Sequence, residues 1–405
     1  MNISKSFPAL THKNFRYFFI GSCISLIGTW IQNTSQSWLV LTLTNSPVKL
    51  GIVTALQFTP LLLFSLFAGA AIDRVSKKKL LIITQSTMML LALVLAVLVF
   101  TGKIKYWHIL ILAALLGFVN TVDMPTRQSF VIEMVGKDDL LNGIALNSSM
   151  FNGARLIGPG IAGLLIYYLG FPLCFFLNAV SFIPLIFGIM RMKINETRIL
   201  ADKEMSFKSI LYDIKDGIIY ISRKDEIYRT VILIAIVGTF AMNYSVLIPL
   251  LAKMVLHSGS QGYGYLMSAM GAGSLISALI IAAKSKKPER SVLYISAFVI
   301  SLLLLLIGFI KIYFLGILLL FLMGIFNVKF STTANTRIQL ASSNEYRGRV
   351  MSVYSLVFAG VTPIGSLFSG GISDRFGVSN AFIISAIVTA FLSIILLLTK
   401  NRSRN

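Results

Sequence analysis

A chain of 405 residues with 56% hydrophobic and only 13% charged positions cannot fold as a water-soluble globule, because too much apolar surface would face solvent. A mean hydropathy of +0.83 identifies an integral membrane protein, and at roughly 20 residues per helical span the chain has room for about twelve crossings and no sizeable soluble domain. The formal charge of +21 is dispersed rather than gathered on one arm or amphipathic face, which excludes a nucleic-acid-binding module.

The chain opens on a polar, basic stretch from Met1 to Arg16, which lacks the form of a cleavable signal peptide. Apolar runs bounded by breakers then predict spans at Tyr17–Leu43, Leu50–Ile72, Leu80–Thr101, Trp107–Val122, Leu141–Leu169 and Phe171–Met190. A polar stretch from Arg191 to Arg229 follows. Within it Phe207, Ile210, Leu211, Ile214, Ile218 and Ile221 recur at helical spacing among charged residues, which predicts an amphipathic helix on the inner membrane surface that tethers the two halves. Six further spans are predicted at Thr230–Ala252, Tyr263–Ala283, Val292–Ile310, Tyr313–Phe330, Val350–Gly371 and Ala381–Thr399.

The expected fold is therefore an all-α membrane protein of twelve transmembrane helices in two six-helix, pseudo-symmetric halves. Residues 1–190 form the first half, 191–229 the cytoplasmic linker and 230–405 the second half. Internal repetition supports this division: Gly117-Phe-Val-Asn120 is echoed by Gly324-Ile-Phe-Asn327, and Gly158-Pro159 by Thr362-Pro363. Lys284-Ser-Lys-Lys287 repeats the charge of the loop before the third span. An even number of spans puts both termini on one side. With that side cytoplasmic, its loops carry 28 of the 36 Lys and Arg residues and the outer loops only 6, so the positive-inside rule places both ends in the cytoplasm.

Nothing in the chain points to covalent chemistry. Cys23 and Cys174 fall inside predicted spans, which argues against a disulfide or a metal site, and His12, His108 and His257 are scattered at span edges. No Gly-x-x-x-x-Gly-Lys-Ser/Thr loop is present, so direct ATP use is not expected; no cofactor, metal or enzymatic activity is predicted. Charges at membrane depth are the default functional candidates, because an unpaired charge in hydrocarbon costs several kcal/mol. Asp123, Arg155 and Lys329 are three such charges.

The loop Gly69-Ala-Ala-Ile-Asp73-Arg74-Val-Ser-Lys77-Lys78-Lys79 resembles the signature between the second and third helices of the major facilitator superfamily of transporters. The segments Asp123-Met-Pro125-Thr-Arg127-Gln128, Asn142-Gly-Ile-Ala-Leu-Asn147, Gly153-Ala-Arg155-Leu-Ile-Gly158-Pro159-Gly160 and Tyr346-Arg347-Gly348-Arg349 are similar to its enterobactin-exporter and macrolide-efflux branch. The resemblance implies parallel six-helix repeats and a conformational latch that closes the cytoplasmic ends, made here by Gly69, Asp73, Arg74, Lys77, Asp123 and Arg127. It implies that the first, fourth, seventh and tenth spans line a central cavity. Gln32, Gln36, Asn120, Arg155, Asn243, Tyr244, Asn327 and Lys329 are then the candidate substrate contacts. Gly153, Gly158, Pro159 and Gly163 resemble the helix-bend motif of antiporters, whereas the antiporter Arg early in the fourth span is missing from Trp107–Gly117.

The implied activity is secondary active export of an amphiphilic drug-like or siderophore-like molecule across the cytoplasmic membrane, coupled to protons, by a monomer in the lipid bilayer. A lipid or lysophospholipid translocator of the same fold is the alternative, and a non-transporting membrane receptor a further one.

Overall fold

The computed structural model describes residues 7–72, 75–193, 207–284 and 289–399. After a short 3-10 turn at Pro8–Thr11, helices α1 (Lys13–Thr44), α2 (Pro47–Ile72), α3 (Lys77–Phe100), α4 (Tyr106–Val135), α5 (Leu140–Leu169) and α6 (Phe171–Arg191) form the first half. The linker helix α7 (Phe207–Arg223) precedes α8 (Asp225–Phe240) and α9 (Tyr244–Leu250), which continues as a π turn over Leu251–Val255. The second half is completed by α10 (Gly259–Lys284), α11 (Arg290–Phe309), α12 (Tyr313–Ala341), α13 (Arg347–Phe376) and α14 (Val378–Leu398). Helices α8 and α9 together make one span of 31 residues, and ten spans are long and apolar enough by themselves to cross a bilayer. The other two crossings are α1, of 32 residues, and α5, of 30, which carry more Gly, Ser, Thr, Asn and Gln than their neighbours.

Local chemistry sets the helix ends. Ser76 caps α3, its Oγ accepting the Lys79 backbone N–H at 3.2 Å. Gly170 and Gly377, at φ of 79° and 86°, let the chain turn in one residue from α5 into α6 and from α13 into α14. These two glycines are separated by 207 residues, as are Gly117 and Gly324, and Asn120 and Asn327. A Cβ on Gly117 would strike the Gln57 carbonyl of α2, and one on Gly324 the Met270 carbonyl of α10, so the same close helix crossing recurs in both halves.

Two differences from the sequence expectation matter for the site. The fourth span does not stop at Val122: α4 continues to Val135, so Asp123 lies twelve residues inside its end, ~18 Å at 1.5 Å per residue. The seventh span is not continuous, because the chain leaves the helix at Ala241–Asn243 and re-enters it at Tyr244. Backbone can be irregular at this depth only where protein or a cavity surrounds it.

The halves meet along α2 against α13 and α5 against α10. Their contacts lie from mid-depth towards the end of the bundle opposite the two chain termini. There the Trp38 and Tyr263 rings stack at 5.4 Å, Lys253 Nζ donates to the Leu41 carbonyl at 2.5 Å, and Ser260 Oγ donates to the Gly163 carbonyl at 3.3 Å. Deeper in, Ser268 Oγ donates to the Leu156 carbonyl at 2.7 Å. One hydrophobic cluster runs across both halves at this end, from Trp38, Leu41 and Leu50 to Tyr263, Leu266 and Met270. At the terminal end the first half has its own cluster, with Phe15, Phe18, Leu81, Phe130 and Met134. The hydrogen bonds described there include Lys78 Nζ to the Met192 carbonyl at 2.7 Å and Arg229 to the Thr399 carbonyl at 2.7 Å, neither of which joins one half to the other. Among the described residues, the contacts that join the halves are thus gathered from mid-depth to the far end.

Candidate functional site

A cavity of about 310 Å³ opens inside the first half between α1, α2, α3, α4, α5 and α6. Its wall mixes amides and hydroxyls, among them Ser25, Gln32, Asn33, Gln57, Asn120 and Asn178, with Trp30, Phe58, Met88, Phe151 and Phe182. Such alternation suits a molecule with an apolar body and several hydrogen-bonding groups. Asp123 and Arg127 also line it.

Asp123 is 4% exposed and fully engaged. One oxygen accepts Thr84 Oγ1 at 2.7 Å and Gln85 Nε2 at 2.6 Å, while the other pairs with Arg127 Nε at 3.3 Å, one helical turn on. Arg127 Nη1 in turn donates to Ser22 Oγ of α1 at 3.1 Å, and its guanidinium lies 5.6 Å from the Phe18 ring. A charge-neutral, hydrogen-bonded unit of this kind can be buried where an isolated carboxylate could not. Its partners on α3 carried no candidate from the sequence, although two polar residues in an apolar span were the available signal.

The structure divides the residues of the expected latch. Asp123 and Arg127 are joined, but Lys77 Nζ pairs with Glu133 Oε1 at 2.6 Å instead of Asp123, because α4 carries Glu133, not Asp123, to the terminal end. Gly69 lies in the last turns of α2. Asp73 and Arg74 lie outside the described residues.

The expected cavity residues are also distributed. Gln32 and Asn120 line the cavity, and Gln32 Oε1 accepts Asn178 Nδ2 at 2.7 Å. Asn178 is a cavity residue on α6, a span that the family resemblance did not mark as cavity-lining. Gln36 is buried one turn beyond Gln32, and Asn327 is buried in α12. Asn243 and Tyr244 sit at the break between α8 and α9, 2% and 7% exposed, and their Oδ1 and hydroxyl oxygen have no hydrogen-bond partner among the described residues. Arg155 lies halfway along α5 with its guanidinium 5.9 Å from the ring centroid of Trp30, a residue of the cavity wall. It interacts electrostatically with Tyr244 across the junction of the halves. Lys329 Nζ lies 5.6 Å from the Phe326 ring centroid.

The glycine motif in α5 serves close packing. A Cβ on Gly158 would come within 2.5 Å of Trp30 Cβ, and one on Gly163 within 2.6 Å of the Ser260 carbonyl, whereas Gly153 faces no atom within 4 Å. Pro159 within the helix removes the backbone donor for the Arg155 carbonyl. Among the described residues no group of three or more His, Cys, Asp or Glu residues could hold a metal.

Comparison with known proteins agrees with this geometry. A family described as transmembrane secretion effector matches residues 4–404. The chain is 30% identical over 389 residues to the staphyloferrin A transporter of Staphylococcus aureus, covering 94% of each chain. It is 24% identical over 376 residues to the multidrug efflux pump Tap of Mycolicibacterium fortuitum, covering 91% of each. Among solved structures it is similar to the nucleoside transporter NupG, with a TM-score of 0.76 at 15% identity, covering 96% of this chain and 100% of that one.

Proposed function

Because the chain belongs to the transmembrane secretion effector family of major facilitator transporters, and is with it an exporter of small molecules, we propose that it expels an amphiphilic compound by proton-coupled alternating access. The carrying observation is a polar cavity in a bundle whose halves, among the described residues, are joined from mid-depth to the end away from the termini. The terminal end is cytoplasmic in this reading, on the strength of the Lys and Arg bias. The compound enters from the cytoplasm, residues 1–190 rock as a monomer against residues 230–405, and the linker 191–229 keeps the halves together.

In the state closed at the cytoplasmic end, the loop carrying Gly69, Asp73, Arg74 and Lys77 latches the halves, so Lys77 leaves Glu133 as the cycle turns. Asp123 is the one carboxylate among the described residues of the cavity wall, and its hold on Arg127 is the contact on which coupling would act. A ligand or proton shifts the balance of states only by binding one of them better. The test is accumulation of fluorescent amphiphiles of either charge in inverted vesicles from expressing cells, with and without an imposed pH gradient. Gradient-driven accumulation should fall at least ~10-fold in Asp123→Asn. Unchanged transport in that variant would remove Asp123 from the coupling, and no accumulation of any dye by the unmodified protein would count against the exporter reading.

A further inference from the structure

Among the described residues, two cations at membrane depth have no countercharge. Arg155 lies at the middle of α5, and among the described residues no carboxylate stands within ion-pair distance of it or of Lys329. The carboxylate of the cavity wall, Asp123, is already matched by Arg127. Lys329 does not reach for the headgroups at the terminal end: Ala341, where α12 ends, is twelve residues further on, ~18 Å away. Its ammonium instead lies over Phe326, one turn back towards mid-membrane. Neutral aromatic faces soften the burial of these charges but do not neutralise them.

The Arg155 guanidinium lies 5.9 Å from the ring centroid of Trp30, which lines the cavity, and is within electrostatic range of Tyr244 in the other half. Tyr244, 7% exposed, has a hydroxyl without a hydrogen-bond partner among the described residues. A buried donor that is left unmade costs stability, and it is retained where a ligand completes it. The α8–α9 break that holds Tyr244 at mid-depth belongs to the second half, as Lys329 does, while Arg155 belongs to the first.

We propose that the transported compound is anionic, and that a carboxylate or comparable acidic group on it docks on Arg155 with the Tyr244 hydroxyl while Lys329 offers the second positive charge. This rests on the exporter reading and names its substrate class. An acidic ligand bridging Arg155 and Lys329 would neutralise one charge in each half, so its binding is linked to their approach.

The probes are two xanthene dyes of similar size, anionic carboxyfluorescein and cationic rhodamine 6G. Binding to the purified full-length protein is followed by fluorescence anisotropy and transport in inverted vesicles. The unmodified protein should bind carboxyfluorescein at least ~10-fold more tightly than rhodamine 6G. Arg155→Gln and Lys329→Gln should each weaken the anionic dye by ~10-fold or more without weakening the cationic one, with Arg155→Lys retaining part of the affinity. If one Gln variant does not fold, the other decides. Equal or cation-favouring binding, or no loss in either variant, overturns the proposal. Selective anion binding without transport of either dye would support the site and overturn the exporter reading. Transport of rhodamine 6G unaffected by Arg155→Gln, with no carboxyfluorescein binding, would do the reverse.

Discussion

Arg229 shows how far a single side chain can hold this bundle. It is 4% exposed, and its fork spans Asp225 Oδ2 at 2.7 Å, the Leu396 carbonyl at 2.7 Å and the Thr399 carbonyl at 2.7 Å, tying the start of α8 to the end of α14. Replacing it with Met should remove the guanidinium held by Asp225 and its donors to both carbonyls and cost ~3 kcal/mol or more, read as a lowered thermal midpoint in detergent micelles. Arg229→Lys should recover only part, because an ammonium cannot reproduce the planar fork. In the sequence this residue counted only as one more positive charge at the inner boundary. Its role depends on a carbonyl 167 positions away in the chain, a pairing that no local pattern encodes. Asp123 was legible as an important charge because carboxylates at membrane depth are rare. Its depth was not, since the apolar run stops at Val122, whereas α4 takes in Pro125 and continues to Val135.

At the level of elements, the spans follow their apolar runs closely, because the bilayer leaves few alternatives to a helix of the right length. The break at Ala241–Asn243 was hidden: neither Pro nor Gly interrupts that part of the run, and only Asn243 marks the place. The linker helix was visible in its 3.6-residue periodicity, but its docking was not. Arg349 pairs with Asp216 at 2.5 Å and the Tyr220 and Tyr346 rings stack at 4.3 Å, so α7 is fastened to the second half at the α12–α13 turn. The paired variant Asp216→Ala, Tyr220→Ala should therefore speed protease cleavage within α7 several-fold while the twelve spans stay intact, which limited proteolysis would show. The α5–α10 crossing makes a sharper demand. A Cβ on Gly264 would sit 2.5 Å from the Pro159 carbonyl, a backbone atom that cannot step aside. Gly264→Val should hold the far end apart and lower transport at least ~10-fold without loss of membrane insertion, measured as flux per folded transporter in vesicles.

For the whole molecule, orientation and conformation make one joint prediction, since the described contacts between the halves lie away from the end that carries both termini. Single cysteines at Lys103 and Lys311, in the α3–α4 and α11–α12 turns, are expected to react with a membrane-impermeant maleimide in intact cells. Cysteines at Lys137 and Lys224, in the α4–α5 and α7–α8 turns at the terminal end, should react only once the membrane is opened. The native Cys23 is partly exposed and Cys174 buried, both within spans, so a Cys-free background keeps the assay clean. A cysteine at Asn147, on the cavity wall, then reports the cycle: in this conformation it should label from the cytoplasmic side of inverted vesicles. A transported compound that draws the halves together at that end should slow the labelling by the fraction of molecules it shifts, and a threefold slowing requires two thirds of them to leave the open state. Labelling of the Lys103 and Lys137 sites from the same side would break the even-span topology, and Asn147 labelling indifferent to every bound compound would break the coupling of cavity to closure.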